Sequence, residues 1–284
     1  MIELGCALVL AVYVAAHARA PRWALEAALL AVAGWVGEVG CVRLYGLYQY
    51  DPSAWRARLD VMPVMVALIW PAVILSARDI ARRLVPGAAP GAVGVVTGAR
   101  GSALAVGVVT GALVVFDAAL IEPIAVAAKL WSWNEGGVFG VPVAGLLGWG
   151  WFAALAAWSL ERWPRRPWLV AIVAPLGAHA MIVATWWGAL RWVLRSERSA
   201  WVAGAVVALA SAAYTVAVAR RGVALPPRAS VPRAIATAFF AALLVFVVPA
   251  AARPGLAAWA ALFAAPHLVM TFAGVRRVSA PRAA

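Results

Sequence analysis

A chain of 284 residues that is 65% hydrophobic and only 12% charged is not built as an ordinary soluble domain, where about a quarter of residues carry charge. Its mean hydropathy of +0.91 points to lipid hydrocarbon as the solvent. The net charge of +13 comes from 24 basic residues against 11 acids, yet the arginines sit in short clusters between apolar runs (Arg82-Arg83, Arg165-Arg166, Arg220-Arg221, Arg276-Arg277), so nucleic-acid binding is excluded for want of a continuous basic face.

The apolar runs, in chain order, are Ile2–Ala18, Trp23–Val42, Val61–Ala77, Gly101–Ala128, Gly136–Leu160, Trp168–Leu190, Ser199–Ala219, Ala234–Ala252 and Gly255–Val275. A membrane helix needs roughly 20 such residues. The expected fold is therefore all-α, a polytopic transmembrane bundle of about nine spans forming one integral membrane domain over 1–284, with eight spans if the short first run is peripheral. The first run opens with Glu3, where a signal peptide carries positive charge, and is followed by Ala18-Arg19-Ala20; it reads as a retained helix. No run contains Arg or Lys. Basic residues concentrate in alternate connections, so nine spans in the cell (inner) membrane would leave the N-terminus outside and the C-terminus cytoplasmic. Arg191, Arg195 and Arg198 run against that bias. The sixteen tryptophans suit interfacial belts.

The longest connection, Arg78–Arg100, is rich in Gly and Pro and ends on a short echo, Gly94–Ala99 repeated as Gly107–Ala112. Gly107 and Gly111 form a GxxxG that admits a close neighbouring helix. Cys6 and Cys41 lie in apolar runs and read as small buried hydrophobes rather than a disulfide or metal pair. His17, His179 and His267 lack metal-ligand spacing, and His179 and His267 read as packed polar residues. No nucleotide-binding glycine loop or nucleophile elbow is present, and no metal site is expected.

Beyond Glu3 at the very start of the first run, four carboxylates fall inside the runs: Glu26, Glu38, Asp117 and Glu122. A carboxylate at mid-bilayer costs roughly 2.5–3.5 kcal/mol, so each invites a functional reading. Glu26 is one turn from Arg22 and is expected to snorkel to the surface. Glu38 has Arg43 as a candidate partner near the opposite surface. Asp117 and Glu122 lie deep in the fourth run, about 140° apart on a straight helix. Pro123 frees the Ala119 carbonyl and bends the helix, which could turn both carboxyls toward one cavity. Burial disfavours a carboxyl group's charged form, and a neutral acid can protonate a weak base such as an alkene. Glu38, Asp117 and Glu122 share one half of the membrane with the aromatic stretches Tyr45–Tyr50 and Trp131–Trp133, which read either as a site wall or as ordinary belt residues.

Several local patterns resemble the integral-membrane carotenoid-biosynthesis family that includes the γ-carotene and bisanhydrobacterioruberin hydratases. Glu38, Gly40 and Tyr45-Gly46-Leu47-Tyr48-Gln49-Tyr50 are similar to that family's E…G…FGxYxY stretch. Val61-Met62-Pro63 leading to Ile69-Trp70 resembles VPxxxxLxW. Phe116-Asp117 with Glu122-Pro123, Ala125 and Trp131-Ser132-Trp133 resembles DxxxxxPxAxxxxxWxW, and Phe139-Gly140-Val141-Pro142 with Gly148-Trp149 resembles GVPxxNxxGW. The likeness covers about Glu38–Trp151. Glu122 stands where an Asp is expected, and Gly145 where the pattern carries Asn, which removes an amide able to orient water or substrate.

The resemblance implies a hydro-lyase that adds water across the terminal C1,C2 double bond of an acyclic carotenoid end. It implies a lipophilic carotenoid substrate, surrounding membrane lipid, other carotenoid-pathway enzymes as neighbours, and no cofactor. Asp117 or Glu122 would protonate C2. Tyr48, Tyr50, Trp131, Trp133 and Trp149 would stabilise the tertiary cation at C1 through their π faces, at up to about 2 kcal/mol each. Glu38 would deprotonate the attacking water. Two other readings stay open: a membrane prenyltransferase or cyclase of isoprenoids, or a non-catalytic transporter or assembly protein whose acids carry protons.

Overall fold

The computed structural model describes residues 2–17, 21–86, 99–193, 199–221 and 227–278. The Ala18–Ala20 segment, Arg195, Arg198 and the first copy of the glycine echo up to residue 98 lie outside the described residues. Helices α1 (Ile2–His17) and α2 (Pro21–Arg43) are followed by strand β1 (Tyr48–Tyr50) and the ribbon of β2 (Arg58–Leu59) with β3 (Met62–Pro63). Then come α3 (Val64–Leu84), α4 (Ala99–Ala127), β4 (Trp131–Trp133), α5 (Val143–Arg162), α6 (Val170–Ile182), α7 (Ser199–Arg221), α8 (Pro227–Phe246) and α9 (Arg253–Val278). Helix α6 runs on through a π-helical stretch, Val183–Val193. Among the described residues, eight helical segments are long and apolar enough to cross a membrane, and α1 is the shorter ninth helix.

Among the described residues the all-α expectation holds, apart from two short antiparallel ribbons. In hydrocarbon every backbone N–H and C=O must be satisfied within the protein, which Ala-, Val- and Leu-rich helices do without help. Helix α4 sits at the centre, packed on α3, α5, α7, α8 and α9. Its contact with α5 uses the GxxxG as expected. A Cβ on Gly111 would meet the Gly150 carbonyl oxygen at 2.7 Å, and one on Gly107 would meet that of Ala154 at 2.8 Å. Pro123 lies inside α4, and the Ala119 carbonyl that it frees accepts a 2.7 Å bond from Trp259 Nε1 on α9.

Two boundary readings are corrected. Helix α3 continues beyond Ala77 to Leu84, and α8 begins at Pro227 rather than Ala234, so Arg78 and Arg233 are helical and buried rather than loop residues. Glu26 accordingly does not snorkel. It is 4% exposed and bonds Arg22 at 3.0 Å and Arg78 at 2.7 Å, while Arg82 bonds Glu161 at 2.7 Å. An arginine on the neighbouring helix supplies the countercharge expected of the surface. Cys6 and Cys41 are free thiols.

The end of α4 sets up the site. Lys129 adopts φ 58°, Leu130 N–H returns to the Ala125 carbonyl at 2.9 Å, and Lys129 N–H to that of Val126 at 3.0 Å. This is the Schellman pattern, in which a left-handed residue caps the last carbonyls and reverses the chain. The reversal sends β4 back against β1 in the register Tyr48↔Trp133, Gln49↔Ser132, Tyr50↔Trp131. Side chains alternate across a strand. The four aromatics therefore share the inner face, and Gln49 and Ser132 are exposed on the other.

Candidate functional site

A partly open cavity of about 160 Å³ is enclosed mainly by α2, α3, α4, α5 and α8, with the β1–β4 ribbon as its lid. Glu38, Asp117 and Glu122 all line it, as do Tyr48, Tyr50, Trp131, Trp133 and Trp149. A hydrophobic cavity of about 150 Å³ is enough for a benzene-sized guest. The enclosed space thus suits the end of a long apolar molecule rather than its whole length.

The three acids differ in their partners. Glu122, on α4 and 3% exposed, accepts indole N–H bonds from Trp131 (2.7 Å) and Trp133 (3.0 Å) on Oε2 and from Trp149 (2.8 Å) on Oε1. Glu38, on α2, accepts the Tyr50 hydroxyl at 2.9 Å and the Trp70 indole N–H at 3.0 Å. The ring of Trp70 lies 4.6 Å from that of Trp149, so an indole pair spans the space between the two carboxylates. Arg43 pairs instead with Asp60, out on the loop side, and holds that carboxyl below its ordinary range by hydrogen bonding. Burial pushes Tyr50 well above the usual phenol value, so it stays a phenol.

Asp117, in contrast, has basic partners. Its Oδ2 is ion-paired with Arg233 of α8, and its Oδ1 lies 3.0 Å from His267 Nε2 of α9. Arg233 also donates to Ser76 Oγ at 2.9 Å and to the Val73 carbonyl at 3.3 Å. Four helices, α3, α4, α8 and α9, are tied together by this cluster. Pro123 follows Glu122 and both acids do reach one cavity, but at different stations about 7.5 Å apart along the helix axis. Sequence reasoning misses Trp70, Arg233 and His267 as site neighbours. Trp70 is visible in a family-like pattern, but Arg233 falls outside the eighth apolar run and His267 has no partner nearby in the chain. His179 packs as expected, its Nε2 lying 3.2 Å from the Gly37 carbonyl oxygen. Among the described residues, no group of three or more His, Cys, Asp or Glu is arranged to hold a metal ion.

The family model described as "Carotenoid biosynthesis protein" matches residues 1–215, about three-quarters of the chain. The chain belongs to the carotenoid biosynthesis protein family. No curated protein and no solved structure compared with it matches. Membership, with the apolar helical bundle, makes this a polytopic membrane protein with an enzymatic role in carotenoid biosynthesis, acting on lipophilic material among lipid neighbours. All eight expected site residues of this family member lie within the matched stretch, whereas Arg233 and His267 lie beyond it.

Proposed function

We propose that the protein hydrates the terminal C1,C2 double bond of an acyclic carotenoid end group. The observation that carries this reading is a pair of carboxylates, Glu38 and Glu122, facing one aromatic-walled cavity of end-group size inside a membrane bundle.

The hydrogen-bond inventory suggests the division of labour. An indole N–H can only donate, so Glu122 is surrounded by three groups that ask it to accept. A phenol both donates and accepts, so Tyr50 can turn its lone pair toward a protonated Glu38. Glu38 then serves as the general acid, delivering its proton to C2 and leaving the tertiary cation at C1. The π faces of Tyr48, Trp131, Trp133 and Trp149 stabilise that cation. Water adds to C1, and Glu122 takes the proton that water loses. Each turnover consumes one water and returns both carboxyl groups to their starting state once a proton passes from Glu122 to Glu38. Asp117, the donor expected alongside Glu122, has both oxygens engaged by Arg233 and His267 and serves the architecture.

The reading is tested by expressing the chain in a carotenoid-producing bacterial host and weighing the pigments. A product heavier by one water supports it. Unchanged pigments across acyclic and monocyclic carotenoids overturn it, and a product of unchanged mass with a new ring marks a cyclase using the same acid. Glu38→Gln or Glu122→Gln is expected to cut hydrated product by about 10²–10⁴-fold, the usual worth of a general acid or base.

A further inference from the structure

Glycine in a helix interior costs about 1 kcal/mol against alanine, so a helical glycine facing a site needs a reason. Gly145 lies in the first turn of α5, four residues before Trp149 and so on the same face. A Cβ placed on it would stand 2.7 Å from Cζ2 and 2.9 Å from Cη2 of Trp133. The benzo ring of Trp133 thus fills the space that an alanine methyl would need, while Nε1 of the same indole reaches Glu122. On its strand register Trp133 is opposed by Tyr48, whose ring centroid is 4.7 Å away. Tyr48 closes one face of the indole, and the bond from Nε1 to Glu122 ties its polar edge.

The same construction recurs at the other carboxylate. Gly34 precedes Glu38 by four residues on α2, and a Cβ there would stand 2.7 Å from Cδ1 of Trp70, whose Nε1 bonds Glu38. Each acid of the pair therefore has an indole donor seated against bare helix backbone.

We propose that Gly145 and Gly34 are positioning residues. By keeping a helix surface free of side chain, each fixes the tryptophan that orients one carboxyl group of the pair: Gly145 acts through Trp133 on Glu122, and Gly34 through Trp70 on Glu38. The consequence for turnover rests on the hydration reading; the coupling of glycine to indole does not.

The test is a double-mutant cycle on Gly145→Ala and Trp133→Phe, since phenylalanine lacks the outer ring that the added methyl would strike. Gly145→Ala alone is expected to lower kcat by about 10–100-fold, the worth of a displaced bond to a charged group. KM for the carotenoid should stay within about threefold, and Gly34→Ala should give the same split. In the Trp133→Phe background, Gly145→Ala should cost less than about twofold, because no indole remains to be displaced. Additive losses, or a rise in KM with kcat unchanged, overturn the proposal. If the wild-type protein makes no hydrated pigment, the hydration reading falls alone, and the cycle is read instead from detergent melting temperatures. Gly145→Ala then lowers Tm when Trp133 is intact but not in the Trp133→Phe background if the seat exists, and equal drops in both backgrounds overturn it.

Discussion

Asp117 and Glu122 sit on one helix and are almost equally buried, at 8% and 3% exposure, but their surroundings differ in charge. Asp117 faces a guanidinium and an imidazole, whereas Glu122 faces three neutral indoles. Removing one member of a buried ion pair leaves the other charge uncompensated, at a cost of about 3–5 kcal/mol. Asp117→Asn is therefore expected to destabilise the folded protein by that amount in detergent unfolding. The paired replacement Asp117→Leu with Arg233→Met should recover most of it. Recovery should also restore pigment production; a stable double variant that makes no product would return Asp117 to the chemistry. The identity of both acids is legible in the sequence, because a carboxylate in an apolar run is conspicuous. Their different partners are not, because Arg233 lies 116 residues from Asp117, in a stretch that reads as a surface connection.

At the level of elements, spacing carries a good deal of the information. Tyr-x-Tyr and Trp-x-Trp each place two rings on one face of a strand, and the short ribbon they form needs only the reversal at Lys129 to bring them together. The GxxxG is equally readable, since small residues four apart mark a face for close approach. Gly111→Leu should push α4 from α5 at the Gly150 carbonyl, costing about 1–3 kcal/mol by overpacking and lowering Tm in detergent. An unchanged Tm would mean that close approach of α4 and α5 at this point does not contribute to stability. What spacing does not reveal is that Trp70 and Trp149 meet at a tilt between two carboxylates, since they come from different helices.

For the whole molecule, the path of α1 bears on the topology. Glu3 accepts backbone bonds from Arg56 and Ala57 at 2.9 Å, beside the ribbon that precedes α3, while His17 lies 3.9 Å from Asp79 near the end of α3. Helix α1 thus runs alongside most of α3 despite its 16 residues, about 24 Å of rise. We therefore expect nine crossings, with the N-terminus on the same side as Ser53. An impermeant thiol reagent should label Ser53→Cys and a cysteine-bearing N-terminal tag from one side of oriented vesicles, and Arg165→Cys from the other. A tag that labels with Arg165→Cys would show that α1 does not cross. By itself the sequence determined the solvent, the long apolar runs and the residue types able to do acid chemistry, because these follow from composition and local spacing. Only the tertiary structure decided which of the three acids pairs with an arginine, which tryptophans bond the other two, and which glycines those tryptophans pack against. Apart from α3, these helices are apolar on nearly every side, so their periodicity names no preferred face, and partners are chosen by close packing across residues far apart in the chain.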